Sequence, residues 1–396
     1  MRILLNLSAI LAAFMAFAQE PITVIPFERF GDHIFIKMSV DDSEPLDVIF
    51  DTGAGITVID EDIADQLELV QHRIVLNEGS VTGSIIKHNT LEIHDYSDDK
   101  EGDHLMDKNV KVYATDLDHL EISLGRNIDG IVGYDLLKHH SVRVNYNQNQ
   151  MEIYEPGLVQ RNGDAIPFKL VNMIPVVEGN VVLNNNEPHE GSFFVMSGAG
   201  TTLDFNTPYS EEWDVIHKTG KHYSYVSKSI SNEETLHYEG HVLSLSFGKQ
   251  KVSDLPIGIS TSNKGIQGHK SVSGIIGNQI LAMYNITYDY ENSVMYLVKN
   301  INFGRPMRVN CSGIDIQLSE DKQDVLIHQV FEDSPASEAG IKLNSKLISL
   351  DGETMDMINM ADVKKRLKIA GTNVELVVEE DGVQKTYNLE LRSLID

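Results

Sequence analysis

Apolar and polar residues alternate with a period of two in HIFIKMSV (33–40), KVYATDL (111–117), VRVNY (142–146) and HVLSLSF (241–247). That is the pattern of half-buried strands. Asn147-Gln148-Asn149-Gln150 and Glu291-Asn292-Ser293 interrupt such runs and predict hairpin turns. Helical periodicity is brief. DEDIADQLEL (60–69) opens on an acid suited to an N-cap and brings Ile63, Leu67 and Leu69 roughly to one side. The pattern changes after residue 300. GIDIQLS, VLIHQVF, KLISLDG and NVELVVEE read as strands, whereas SPASEAG and MADVKKRLKI read as helices. Ser334 and Pro335 give cap and first-turn signals, and Asp381-Gly382 predicts a tight hairpin. The expected fold class is mainly β, with a small α+β domain at the end.

The β-rich part is an internal repeat. VIFDTGAGITVID (48–60) aligns without a gap on FFVMSGAGTTLDF (193–205). DGIVGYDLL (129–137) pairs in the same way with SGIIGNQIL (273–281). Asp51 and Gly133 lie 82 residues apart, and Met196 and Gly277 lie 81 apart. Gly133 and Gly277 are separated by 144 residues, as are Tyr146 and Tyr290. Signals that keep one spacing imply two homologous halves. The second copy keeps the hydroxyl residue and the Gly-Ala-Gly but carries Met196 in place of the acid.

Asp-Thr-Gly-Ala after an apolar strand, followed about 80 residues later by two aliphatics and a Gly, resembles the aspartic peptidase superfamily. The likeness is to its retropepsin-like, pepsin-related branch, and it covers 22–300. It implies two β-barrel lobes whose turns face each other across a peptide-binding cleft. Asp51 is then the catalytic carboxylate, and Thr52, Gly53 and Ala54 shape its turn. Ser197 and Gly198 are their counterparts, beside Met196 as a degenerate second acid. Two carboxylates ~3 Å apart share one proton and so supply both a base and an acid. Methionine does neither. Asp60 and Asp204 read as ordinary N-cap or strand-end acids rather than replacements. Three readings stay open: an aspartic endopeptidase with unusual catalysis, an inactive relative that still binds extended peptide, and two chains pairing Asp51 with Asp51. The third competes with a second half tethered at an effective concentration on the order of mM, so a monomer is expected. GSVTGSIIKH (79–88) is the candidate for a mobile hairpin over the cleft.

The last domain resembles a PDZ domain of the bacterial protease-associated type. Gly313-Ile314-Asp315-Ile316 and EDSPASEAGIKLNSKLISLDGE (332–353) carry the likeness. Asp315 stands where that family often has a second Gly. The resemblance implies recognition of protein C-termini. Main-chain N–H groups near Gly313 would meet the carboxylate, the edge from Ile314 and Ile316 would accept a strand, and Val363 and Leu367 would line the side-chain pocket.

The expected organisation is a leader at 1–18, lobes at 19–157 and 158–300, and the PDZ-like domain at 301–396. The leader reading rests on Arg2, the short apolar run ILLNLSAILAAFMAF and the Ala16-Phe17-Ala18 cleavage signal. It predicts a periplasmic or secreted protein. A net charge of −27 argues against nucleic-acid binding and a polybasic membrane patch. No later stretch is apolar enough to span a bilayer. The only cysteine, Cys311, allows no internal disulfide and reads as a small buried residue. Metal-binding spacings, phosphate loops and G-x-S-x-G are absent, so no metal or cofactor is expected. The expected partner is a peptide or protein substrate.

Overall fold

A computed structural model describes residues 20–76, 81–94, 105–228 and 234–395, and the leader reading at 1–18 lies outside them. The repeat is plain in the sheets. In the first half, eight strands run in the spatial order Glu28–Phe30, His33–Val40, Leu46–Phe50, Gly130–Val132, Thr57–Asp60, Leu105–Thr115, Val81–His94 and His72–Leu76. His33–Val40 also pairs with Val81–His94, which curls the sheet toward a barrel. The second half repeats the order with Lys169–Val171, Ile174–Val182, Pro188–Val195, Gly274–Ile276, Leu203–Phe205, Gln250–Ser260, Glu234–Phe247 and Tyr223–Lys228. Here Ile174–Val182 closes on Glu234–Phe247.

A six-stranded sheet belongs to both halves. Its order is Thr23–Pro26, Gln150–Tyr154, Ser141–Asn145, Tyr284–Asp289, Val294–Lys299 and Asp164–Pro167. The middle pair crosses between the halves, with Val142 opposite Tyr288 and Val144 opposite Ile286. Its side chains join the cores of both lobes in one apolar cluster that includes Ile34, Phe50, Val144, Phe193, Phe205 and Tyr288. The expected helix at 60–69 is shorter than its pattern. It spans Glu61–Gln66, capped by the Asp60 side chain accepting the Asp62 N–H, and Glu68 turns to a left-handed φ of 53°. Asn285 is buried in the central sheet and accepts the Tyr146 N–H at 3.0 Å.

The terminal domain has its own sheet, in the order Ile314–Leu318, Val325–Val330, Lys346–Leu350, Asn373–Glu380 and Val383–Glu390. Helices Pro335–Ala339 and Met360–Arg366 cover it. Its core gathers Ile316, Ile327, Val363, Leu376 and Val378. This domain docks on the second half. Phe331, 6% exposed, stacks on Tyr223 with ring centroids 4.9 Å apart. The Gln329 amide accepts the Val226 N–H at 2.7 Å and donates to its carbonyl at 2.6 Å. Phe331→Ala removes the anchor of this contact, at a cost of about 3 kcal/mol. The expected result is a separate, lower-temperature transition in scanning calorimetry; one unchanged transition would place the docking energy elsewhere. No helix among the described residues is long and apolar enough to cross a membrane.

Candidate active site

Each half builds its turn in the same way. Strand Leu46–Phe50 lies parallel to Gly130–Val132, and the Asp51 N–H donates to the Val132 carbonyl at 2.9 Å. Strand Pro188–Val195 lies parallel to Gly274–Ile276, and the Met196 N–H donates to the Ile276 carbonyl at 3.1 Å. The glycine that ends each supporting strand is there because the turn passes over it. A Cβ at Gly133 would fall 1.9 Å from the Asp51 carbonyl oxygen, and one at Gly277 would fall 2.3 Å from that of Thr201.

The two turns meet face to face through reciprocal hydrogen bonds. The Thr52 N–H donates to Ser197 Oγ and the Ser197 N–H to Thr52 Oγ1, both at 3.0 Å. Thr52 Oγ1 in turn donates to the Val195 carbonyl at 2.7 Å, and Ser197 Oγ to the Phe50 carbonyl at 3.1 Å. Both hydroxyl residues are fully buried. Of the sequence positions predicted to face each other, Asp51 meets Gly198, Thr52 meets Ser197 and Gly53 meets Met196, whereas the Ala54 carbonyl accepts the Tyr134 N–H of its own half at 2.8 Å.

Asp51 Oδ1 accepts the N–H groups of its own Gly53 and of Gly198 across the interface, each at 2.7 Å. Met196 packs over Gly53, where a Cβ would lie 2.3 Å from the Met196 Cε and 3.0 Å from Asp51 Oδ1. Behind it lies an apolar cluster of Ile174, Val176, Phe194, Val272 and Ile275. Burial raises the Asp51 pKa, and the two N–H bonds oppose that rise. Of the remaining carboxylates singled out in the sequence, Asp60 is the N-cap described above and also accepts the Leu117 N–H at 3.0 Å. Asp204 departs from the expectation of a strand-end acid. It is 5% exposed, takes the Gln267 amide at 2.7 Å and lies 3.9 Å from His237.

Sequence reasoning missed three neighbours. His33, which opens strand His33–Val40, lies near the main chain of Gly198, the residue that holds Asp51. Burial lowers its pKa, against the pull of Asp32. Its Nε2 lies 3.3 Å from where a Gly200 Cβ would stand. Tyr288, on the central strand Tyr284–Asp289, and Tyr290, in the turn that follows it and read only as a repeat marker, feel the Asp51 charge. Only their spacing from Asp51's twin turn could have flagged them. The hairpin expected at 79–88 is the pair His72–Leu76 and Val81–His94; Gly79 and Ser80 lie outside the described residues.

Residues 36–136 match the family model described as aspartyl protease. The match runs from strand His33–Val40 to helix Tyr134–Leu137 and takes in the Asp51 turn and its supporting strand. It relates the first half to the aspartic peptidases, a hydrolase superfamily. Met196 and the second half lie beyond the matched residues. A search of curated proteins finds no match to the chain.

The terminal domain differs from what its resemblance implied. The N–H groups of Ser312 and Gly313 both donate to Asn310 Oδ1, at 3.0 and 2.8 Å. The Ile314 N–H donates to Ser312 Oγ at 3.0 Å. The loop thus spends its donors internally instead of holding them out to a carboxylate. Val363 and Leu367, expected to line a side-chain pocket, are 0% and 2% exposed and sit with Ile314 and Ile316 in the domain core. Among the described residues no group of three or more His, Cys, Asp or Glu side chains is placed to hold a metal ion.

Glu239 lies on the same strand as His237, near Asp204 and Lys368. Burial pushes its pKa up to about 8, against the pull of Lys368 and with the help of Asp204. Below about pH 4.5 the group is protonated folded or unfolded; from there to about pH 8 only the unfolded chain ionises. Stability therefore falls as pH rises through this window, by at most ~1.4 kcal/mol per unit. Glu239→Gln should remove that slope, matching the parent at the acid end and exceeding it at the alkaline end in urea midpoints. Parallel curves would contradict the assignment.

Proposed function

We propose that the chain is an exported aspartic-type peptidase that takes an extended peptide into the cleft between its halves, with Asp51 as the water-activating group. The observation that carries this reading is the double hold on the Asp51 carboxylate by Gly53 and Gly198, one N–H from each half. Such a carboxylate has a fixed direction and one oxygen left for a water. When that water attacks the peptide carbonyl, its proton passes to Asp51. The same proton then returns to the leaving nitrogen as the C–N bond breaks. A single group thus acts as base and then acid, without the shared proton of a dyad. The leader signal at 1–18 supports export to a periplasmic or extracellular setting.

Met196 favours a second reading, in which the cleft binds extended peptide as an added strand and does not cut it. Incubation of the purified chain with a peptide library from acid to neutral pH, read by mass spectrometry, separates the two. Cleavage at internal bonds supports the first reading, and peptide retained intact on the protein supports the second. For the terminal domain the proposed role is PDZ-like engagement of a polypeptide segment at the strand Ile314–Leu318.

A further inference from the structure

The groove of the terminal domain already holds a segment of this chain. Strand Ile314–Leu318 is an edge: it pairs with Val325–Val330 on one side and, among the described residues, has no strand on the other. Helix Asp118–Leu124 of the first half lies against this strand. Its carboxyl end meets the groove's other wall, helix Met360–Arg366. Lys364 Nζ donates to the Ser123 carbonyl at 2.9 Å, a cation placed at a helix C-terminus. Gly125, the left-handed cap at φ 80°, packs so closely that a Cβ there would stand 2.7 Å from Met360 Sδ. At the other end Lys322 Nζ bonds Asp118 Oδ1 at 2.6 Å and also reaches Glu121 Oε2. Partial burial works against the Lys322 charge, yet its two carboxylate partners raise its pKa overall.

The docked helix is wired to the cleft. Glu121 is 7% exposed, and its second oxygen, Oε1, accepts the Ile128 N–H at 2.7 Å. Two residues further on begins Gly130–Val132, the strand whose Val132 carbonyl receives the Asp51 N–H. Lys322, Glu121, Ile128 and the Asp51 turn thus form one connected path. On its far side the terminal domain grips the second half through Phe331 and Gln329. It therefore holds both lobes at once.

We propose that helix Asp118–Leu124 is the resident ligand of the terminal domain's groove, and that this docking clamps the strand beneath Asp51. An outside polypeptide reaches the edge of Ile314–Leu318 only when the helix lets go, and its binding then loosens the support of the Asp51 turn. The clamp rests on the proposed function only for its effect on catalysis, not for its existence. Hydrogen–deuterium exchange on the full chain tests it without any substrate, so its failure and the failure of the peptidase reading are separate results. Lys322→Glu sets a negative charge against Asp118 and Glu121. The expected result is about tenfold faster exchange in 118–124, 126–133 and 314–318, with 174–182 as the unchanged control. Lys322→Arg should exchange like the parent. Unchanged exchange in 126–133, with or without acceleration elsewhere, overturns the clamp. If Lys322→Glu accelerates the control as well, Lys322→Gln becomes the deciding variant, judged by the same three segments.

Discussion

Met196→Asp raises peptidase activity at acid pH by a factor on the order of 10²–10⁴ over the parent chain. The scaffold for a second carboxylate is complete. Asp51 takes the Gly53 and Gly198 N–H groups, and the twofold relation of the turns lets an acid at 196 share these two donors with it. The Met196 Cγ and Cε already crowd Gly53, at 2.8 and 2.3 Å from a Cβ position there, so a shorter aspartate fits the space. Two carboxylates so close cannot both ionise, and one proton is shared between them. Initial rates on a fluorogenic peptide should follow a bell-shaped pH profile in the variant. A variant that folds like the parent but gains nothing would mean that the cleft lacks more than an acid.

Asp51→Asn has the opposite effect, lowering any cleavage by about 10²–10⁴ or to background. The asparagine carbonyl keeps both N–H bonds but takes no proton from water. Stability separates this loss from misfolding. Burial raises the Asp51 pKa, so the folded chain holds a proton that the unfolded chain releases, and the carboxylate costs stability as pH rises through the shifted range. Asparagine removes that cost. The variant should melt at or above the parent temperature near neutral pH while showing no cleavage. A lower melting temperature would put its inactivity down to damage, and full activity would exclude Asp51 from the chemistry.

The strands and the face-to-face turns were legible because repetition doubles every signal. A period of two in 142–146 and the matched spacing of Tyr146 and Tyr290 mark the strands that pair at the centre of the shared sheet. Three of the short helices in the two halves were not legible. Tyr134–Leu137 and Asn278–Leu281 are one turn each, too brief for a period to show. Asp118–Leu124 has no capping side chain at Leu117, and Gly125 was its only signal. Cys311 was expected to be buried and is 4% exposed. The spent donors of the Gly313 loop trace to Asn310, whose role only geometry displays. Likewise the bonds from Lys322 to Asp118 and from Lys364 to Ser123 span more than 200 residues, a distance no local pattern encodes.

The sheet that crosses between the halves limits how this molecule can open. Splitting it would break the ladder between Ser141–Asn145 and Tyr284–Asp289 and expose Val142, Val144, Ile286 and Tyr288 to water. The two halves therefore stay joined along this seam whatever moves elsewhere. The same seam keeps the Asp51 turn beside the Met196 turn of its own chain.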